Sequence, residues 1–205
     1  NSKESKKTWT KIWDITPTSQ PETWTGMLDH PGGFDSDGQN FWIPISQSRR
    51  NGKTMVRKYS IRSLIEKGDA TPTESITIND HIGAIAVSSG SNRLYGANWD
   101  TLLTYELSLD GNPIQHYERN SFIRNFSNWS IAVQDWKVYE EFLIASGLDK
   151  SSKLLAGRTR SLIQLINLKT RQIIGELRLP SRHKSGNFTR EGMAVFGEYI
   201  WLLPD

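Results

Sequence analysis

The sequence contains no cysteine. Disulfides, thiolate-bound zinc and a thiol nucleophile are excluded, and no redox compartment is selected, because a chain without thiols suits either. No apolar run approaches the roughly 20 residues of a membrane-spanning helix. Charge of one sign is also scarce: 25 basic against 22 acidic residues leave a net +3. Apart from SKESKK at the start and SRRNGKTMVRK at 48–58, the basic residues are scattered. No nucleic-acid motif stands behind those runs, so they read as solvated loops and strand edges. The GxSxG elbow, the P-loop, GxGxxG after a strand and HExxH are missing, and with them the common signatures of serine hydrolases, P-loop NTPases, dinucleotide enzymes and zinc proteases. No signal peptide is visible. The chain opens on Asn1 and stops at WLLPD, which leads us to expect a mature form or an excerpt of a longer chain.

What is present is aromatic bulk. Eight Trp, seven Phe and six Tyr accompany a hydrophobic content of only 36%, with 16 Gly and 8 Pro. That mix favours a β-rich globular protein, and 205 residues suffice for a real core. Short β-type runs, broken by Gly, Asn, Asp and Ser turns, group in fours. The first group is GGFDSD, FWIPIS, MVRKYSI and ESITIND; the second GAIAVSS, RLYGANW, LLTYELSL and PIQHYER; the third QDWKVY, EFLIASGL, LIQLINL and IIGELRL. A fourth begins with EGMAVFGE and YIWLLPD, while TWTKIWDI and PETWTGM look like the last two strands of a group at the N-terminus. A four-stranded meander repeated near every fifty residues is the pattern of β-propeller blades. The expected fold is all-β, one propeller domain over residues 1–205 with three full blades and terminal half-blades. It is either a four-bladed propeller closed by strand exchange or part of a five-bladed one. SIRSLIEKGD (60–69) reads as a helical turn between the third and fourth strands. WSIAVQDWKVYEEFLIA reads as strands despite its helical period, because β-branched and aromatic residues dominate it.

In a propeller the first strand of each blade lines the axis, so residues where those strands begin converge. The four starts carry His30 before Gly32–Gly33, His81 before Gly83, Gln134–Asp135, and Arg190–Glu191 before Gly192. Glycine there lets backbones approach closely. His30, His81, Asp135 and Glu191 could ligate a divalent metal, bind a small polar ligand with Gln134 and Arg190, or supply an acid and a base. They could equally hydrogen-bond between blades and hold water. Asn98 and Trp99 are placed as pocket wall, with core packing the plainer fate of the Trp. Asp35 points along or away from the channel, or serves the SDGQN turn. Trp42 and Trp201 share one place in FWIPI and YIWLLP and read as blade-packing residues. His116 lies on an outer strand, and His183 sits with Arg182 and Lys184 in a basic loop before Arg190. Sequons stand at Asn125, Asn128 and Asn187, relevant in a secretory setting.

HPGGFDSDGQNFWIPIS, DHIGAI followed by LYGANW, VQDW, and EGMAV with IWLLPD together resemble the DUF6454 family of uncharacterised propeller-like proteins. The likeness runs over about residues 28–205 and is strongest at 29–46 and 79–100. It departs at Trp136, where the pattern has Cys after Gln-Asp. The resemblance implies a secreted or periplasmic protein with a further blade upstream and strands downstream, and it brings no activity. EGMA is also similar to inner strands of propeller hydrolases and phytase-like proteins, a likeness of fold alone. The expected function is binding of a small polar ligand or divalent metal at the channel mouth. A metal-assisted hydrolase or lyase with His30 or His81 as base, and a protein-interaction scaffold, are the alternatives. Neither nucleic acid nor a membrane span is expected. Whether the protein is an enzyme, and with what cofactor, is open at this point.

Overall fold

The computed structural model describes residues 15, 24–101, 103–125, 129, 131–149, 160–179, 187–189 and 192–203, without the side chains of 119 and 120. Its strands form antiparallel sheets that succeed one another along the chain. In the first, β1 (His30–Pro31) and β2 (Asp35–Ser36) together make the innermost strand and both pair with β3 (Asn40–Ser46), followed by β4 (Thr54–Ser60) and β5 (Glu74–Ile78). The second is a meander of β6 (Ile82–Ser88), β7 (Arg93–Asn98), β8 (Leu103–Ser108) and β9 (Pro113–Glu118). The third repeats it with β10 (Ile131–Tyr139), β11 (Phe142–Asp149), β12 (Arg160–Asn167) and β13 (Gln172–Leu179). The last described pair is the hairpin of β14 (Gly192–Phe196) and β15 (Tyr199–Leu203). The expected grouping in fours holds for the first three sheets. A helical turn at Ser63–Lys67, closed by Gly68 in the left-handed region, fills the place expected for it.

Each sheet buries a face on the next. Trp42, Val56, Ile76 and Ile78 of the first sheet meet Ile82, Ile85, Val87, Leu94 and Leu107 of the second. The opposite face of the second presents Ala84, Ala86 and Ala97, and the third fills the space with Trp136, Leu143 and Ile131, beside Phe122 and Trp129. Small residues on one sheet admit large ones from its neighbour, as close packing requires. Alternation along β6 sends Ile85 and Val87 one way and Ala84 and Ala86 the other, the two-residue period of a strand buried on both sides. Ile144 and Ile163 of the third sheet pack on Met193, Val195 and Leu202 of the hairpin.

Two expectations are corrected. Residues 24–28 form no strand, so PETWTGM does not supply one there; Trp24 and Leu28 instead cover Ile45 and Met55 of the first sheet. The remainder of that segment, and TWTKIWDI apart from Ile15, lies outside the described residues. Trp201 does not share the setting of Trp42. Trp42 is 1% exposed, with its indole N–H donated to Asp37 at 2.9 Å, whereas Trp201 is 62% exposed because no described sheet covers that face of the hairpin. His116 is exposed on β9, as expected.

The sequon at Asn125 is occupied structurally. Its side-chain amide donates to the Ile173 carbonyl and accepts the Ile173 N–H, both at 2.9 Å, so it acts as a short stretch of strand against β13. Asn128 lies outside the described residues.

Candidate functional site

The site begins with the backbone of HPGGF. His30 and Pro31 pair with Ser46 and Ile45, Gly32 N–H donates to Pro44 O at 2.9 Å and Asp35 pairs with Trp42, but Gly33 between them leaves β3. Gly33 pairs with the second sheet instead: its N–H donates to Gly83 O at 2.8 Å, and its carbonyl accepts Ile85 N–H at 3.0 Å, a parallel bridge to Ala84. The third sheet arrives at the same point. A Cβ on Gly33 would stand 2.5 Å from Gln134 O and 2.9 Å from Asp135 Cα, and one on Gly32 would stand 2.5 Å from Gly83 O. Three innermost strands therefore meet at a residue that must lack a side chain. This contact places backbone where the sheets converge.

On the side where the strands begin lies an aromatic and imidazole cluster. The rings of His30 and His81 are 5.1 Å apart, that of Trp99 is 4.5 Å from His81 and edge-on to it, and 5.9 Å from His30. Three separate connections contribute: the start of β1, the turn before β6, and the turn after β7. His81 is 1% exposed, His30 is exposed, and Trp99 is half-buried.

His81 is fixed from all sides. Its Nδ1 lies 2.8 Å from Gln47 O and 3.0 Å from Arg49 O, in the β3–β4 connection, and its carbonyl accepts Trp99 N–H at 2.9 Å. Asp80 holds the turn beneath it, accepting His81 N–H at 2.7 Å, Asn98 Nδ2 at 2.8 Å and the Tyr105 hydroxyl at 2.7 Å. Thr54 Oγ1 donates to Asp80 O at 2.7 Å and accepts Ile82 N–H at 2.8 Å, tying the first sheet to the start of β6. Burial lowers the His81 pKa, opposed by the two carbonyls on its ring. Burial, and then the bond to Asp80, holds the Tyr105 hydroxyl protonated well above its ordinary range.

The rim is polar. Arg50 pairs with Asp100, and Arg49 donates to Gln47 Oε1 at 2.9 and 3.2 Å. Ser48 Oγ donates to Asp29 at 2.8 Å. Asp100 and Thr101, with φ of 65° and 56°, turn the chain through the left-handed region immediately after Trp99. Two such non-glycine residues in succession are strained unless neighbours over-determine them. Here Thr101 Oγ1 accepts Val133 N–H at 2.9 Å from the third sheet, and Asp100 is held by Arg50.

Asp135 is not part of this cluster, which corrects its expected place. Its Oδ1 accepts Trp136 N–H at 2.8 Å and the Lys137 ammonium at 2.6 Å; its Oδ2 accepts Met193 N–H at 2.8 Å. Lys137 also donates to Phe34 O and, at 3.2 Å, to Trp136 O. Asp135 thus lies beside Gly33 and Phe34, beyond the glycines from His30. Counting back from Gln134 by the three residues that separate His30 from Gly33 reaches Ile131, fully buried and apolar. Gln134 itself is half-buried at the bulge that shifts the β10–β11 register between Val133 and Asp135. β6 carries the same shift at Gly83, between Ile82 and Ala84, so Asp135 aligns with Ala84 and not with His81, which spacing alone does not record.

Asp35 proves to be the counterpart of Asp135. It is buried, and its Oδ2 accepts Val87 N–H at 2.9 Å, strapping the first sheet to the second as Asp135 straps the third to the hairpin. The turn role belongs to Asp37, which accepts Gln39 and Asn40 N–H at 2.9 and 2.6 Å. Burial raises the Asp35 pKa to about 6, against the Lys137 charge and two backbone N–H groups; burial raises that of Asp135 as well.

Among the described residues no group of three or more His, Asp or Glu is placed to hold a metal ion. Asp35 and Asp135 are committed to N–H groups and Lys137, apart from the histidines, and Asp80 beneath His81 is committed to His81 N–H, Asn98 and Tyr105. Arg190 and Glu191, with Arg182, His183 and Lys184, lie outside the described residues. Asn98 is framework and not pocket wall: buried, it donates to Asp80 and accepts Leu103 N–H at 2.8 Å. Trp99 does wall the cluster. Sequence reasoning passed over Asp80, Tyr105, Thr54 and Lys137. Only Lys137 carried a local signal, two residues from Asp135 and so on the same face of the strand.

The chain belongs to a family of unknown function, DUF6454, whose sequence profile matches residues 20–202. No curated protein matches it. Among solved structures, the WD40 domain of Toxoplasma gondii coronin is similar at 8% identity and a TM-score of 0.48, over 88% of this chain and 41% of that one. Hydrazine synthase of Kuenenia stuttgartiensis is similar at 11% identity and 0.46, over 80% and 53%. The acylaminoacyl peptidase of Pyrococcus horikoshii is similar at 7% and 0.45, over 74% and 25%. The chain spans about half or less of the length of these structures. In the described residues no helix is long and apolar enough to cross a membrane.

Proposed function

We propose that the sheets are blades of a β-propeller and that the protein binds a small polar molecule where the innermost strands begin, between His30, Trp99 and His81. The propeller reading draws on the meander order within each sheet, the face-to-face burial of one sheet on the next, and the meeting of three innermost strands at Gly33.

One observation carries the reading. Two imidazoles and an indole from three connections sit within 6 Å of one another, one imidazole exposed and one buried, on a frame fixed by Asp80, Thr54 and the Gln47 carbonyl. A few convergent polar groups beside an aromatic wall are what small-molecule sites are built from. The metal reading is set aside, because Asp135, the carboxylate of that set among the described residues, lies at another level and is already bonded.

Thermal unfolding of the full chain against a panel of sugars, polyols, amines, carboxylates, phosphate and divalent metals tests this. A ligand that binds only the folded state raises the midpoint. The expected result is a rise with at least one organic probe that disappears in Trp99→Ala. No rise with any probe, or a rise unchanged in both Trp99→Ala and His30→Ala, contradicts the proposal.

A further inference from the structure

Resting on that binding role, we infer that the mouth takes a neutral, hydroxyl-bearing molecule, the chemistry of a sugar or polyol, which donates a hydroxyl to His81 Nε2 and lies against Trp99. The tautomer of His81 decides the first half. Two carbonyl oxygens face Nδ1, at 2.8 and 3.0 Å, and a carbonyl only accepts. The ring proton is therefore on Nδ1, and Nε2 carries a lone pair. No described residue donates to it. The residue is 1% exposed, yet Nε2 is not among the described buried atoms left without a partner, so that nitrogen still reaches solvent. A donor from outside the protein can take the place of water there.

That donor must bring a proton. A carboxylate or unprotonated phosphate oxygen would set lone pair against lone pair. An ammonium carries protons, but the adjoining connection holds Arg49, Arg50 and Lys53, while the acidic groups nearby are Asp29, an Asp80 already bonded to His81 N–H, Asn98 and Tyr105, and an Asp100 already paired with Arg50. A metal ion finds no set of three ligands among the described residues. A neutral hydroxyl meets none of these objections.

Trp99 supplies the second half. Its half-buried indole, edge-on to His81 and tilted by 32° to His30, offers apolar surface to the C–H face of a ring. The exposed His30 beside it can donate or accept. The Arg50–Asp100 pair next to Trp99 adds a donor and an acceptor at the rim, so that adjacent hydroxyls on one face of a ligand can be read together.

Nitrogen-detected NMR of the ¹⁵N-labelled full chain tests it, with the four imidazoles assigned through His30→Ala, His116→Ala and His183→Ala. Glucose, galactose, glycerol, sodium acetate, inorganic phosphate and ethanolamine are titrated separately. In the free protein Nδ1 of His81 is expected to be protonated and Nε2 bare. A hydroxyl probe is expected to shift Nε2, with affinity about tenfold weaker in Trp99→Ala, while acetate, which has no proton to donate, leaves it unmoved. A protonated Nε2 in the free protein overturns the inference. If acetate, phosphate or ethanolamine moves Nε2 and the three hydroxyl probes do not, the ligand class is wrong and the binding role stands. If no probe moves either imidazole, inference and binding role fall together.

Discussion

Gly33 of the first sheet pairs in parallel with Ala84 of the second, and the carbonyl of Gln134 from the third closes on the same glycine. Gly33→Ala would force a methyl onto that oxygen, at 2.5 Å, and Gly32→Ala would do the same at Gly83 O. Backbone cannot yield as a side-chain end does, so each substitution is expected to cost about 2–4 kcal/mol. Gly83→Ala is the control. Its nearest neighbour would be 3.9 Å away, and its effect should stay within about 1 kcal/mol. Urea midpoints of the three variants check the contrast.

Asp35 links stability to pH. Its carboxyl titrates at about 6 in the folded protein, against an ordinary value of 3.8. A raised value means that its contribution is fully present below the ordinary value and is lost as pH rises through about 6. Asp35→Asn keeps an acceptor for Val87 N–H and removes the charge. The variant should therefore gain on the wild type from pH 4 to pH 8, by roughly 2–3 kcal/mol. Urea unfolding of both proteins across that range measures the difference, in which the other carboxylates cancel. A constant difference would contradict it.

Trp129 and Trp136 are equally buried but unequally bonded. Trp129 donates its indole N–H to Gln164 Oε1 at 2.7 Å, whereas Trp136 Nε1 is buried with no partner among the described residues. Trp129→Phe should cost about 1–3 kcal/mol more than Trp136→Phe, because only the first leaves a buried acceptor unmatched. Denaturant unfolding of the two variants decides it.

Thr54 joins the first sheet to the turn that carries His81. Thr54→Val keeps the shape, deprives Ile82 N–H of its acceptor and frees Asp80 O. The expected loss is about 1–3 kcal/mol, together with weaker binding of any probe that the wild type takes. Thr54→Ser should restore both.

Much of this was legible in the sequence, and the limits fall at identifiable residues. Strands such as GAIAVSS and LIQLINL announce themselves by local alternation and turn chemistry, so their grouping survives intact. The meeting of His30 and His81 was legible too, because HPGG and DHIG occupy equivalent places in consecutive groups. The level of Asp135 was not, since spacing does not record that the bulge at Gln134 matches the one at Gly83, which aligns Asp135 with Ala84, or that Gly33 leaves β3 for the second sheet. Asp80 and Thr54 looked like ordinary turn and strand residues; their roles arise from partners 18 to 28 positions away. Trp201 failed by analogy, because packing depends on the neighbouring sheet and not on the place within a strand.

The mouth that binds is separate from the straps that hold, and one paired measurement tests that separation. Ligand affinity and unfolding free energy are measured for His30→Ala/Trp99→Ala and for Asp135→Asn, using whichever probe the wild type binds. The mouth variant should unfold within about 1 kcal/mol of the wild type, its side chains being exposed or half-buried, and should lose the ligand. The strap variant should lose stability and, where still folded, bind as the wild type does. Ligand binding that survives in the mouth variant and disappears in a folded Asp135→Asn would contradict the account.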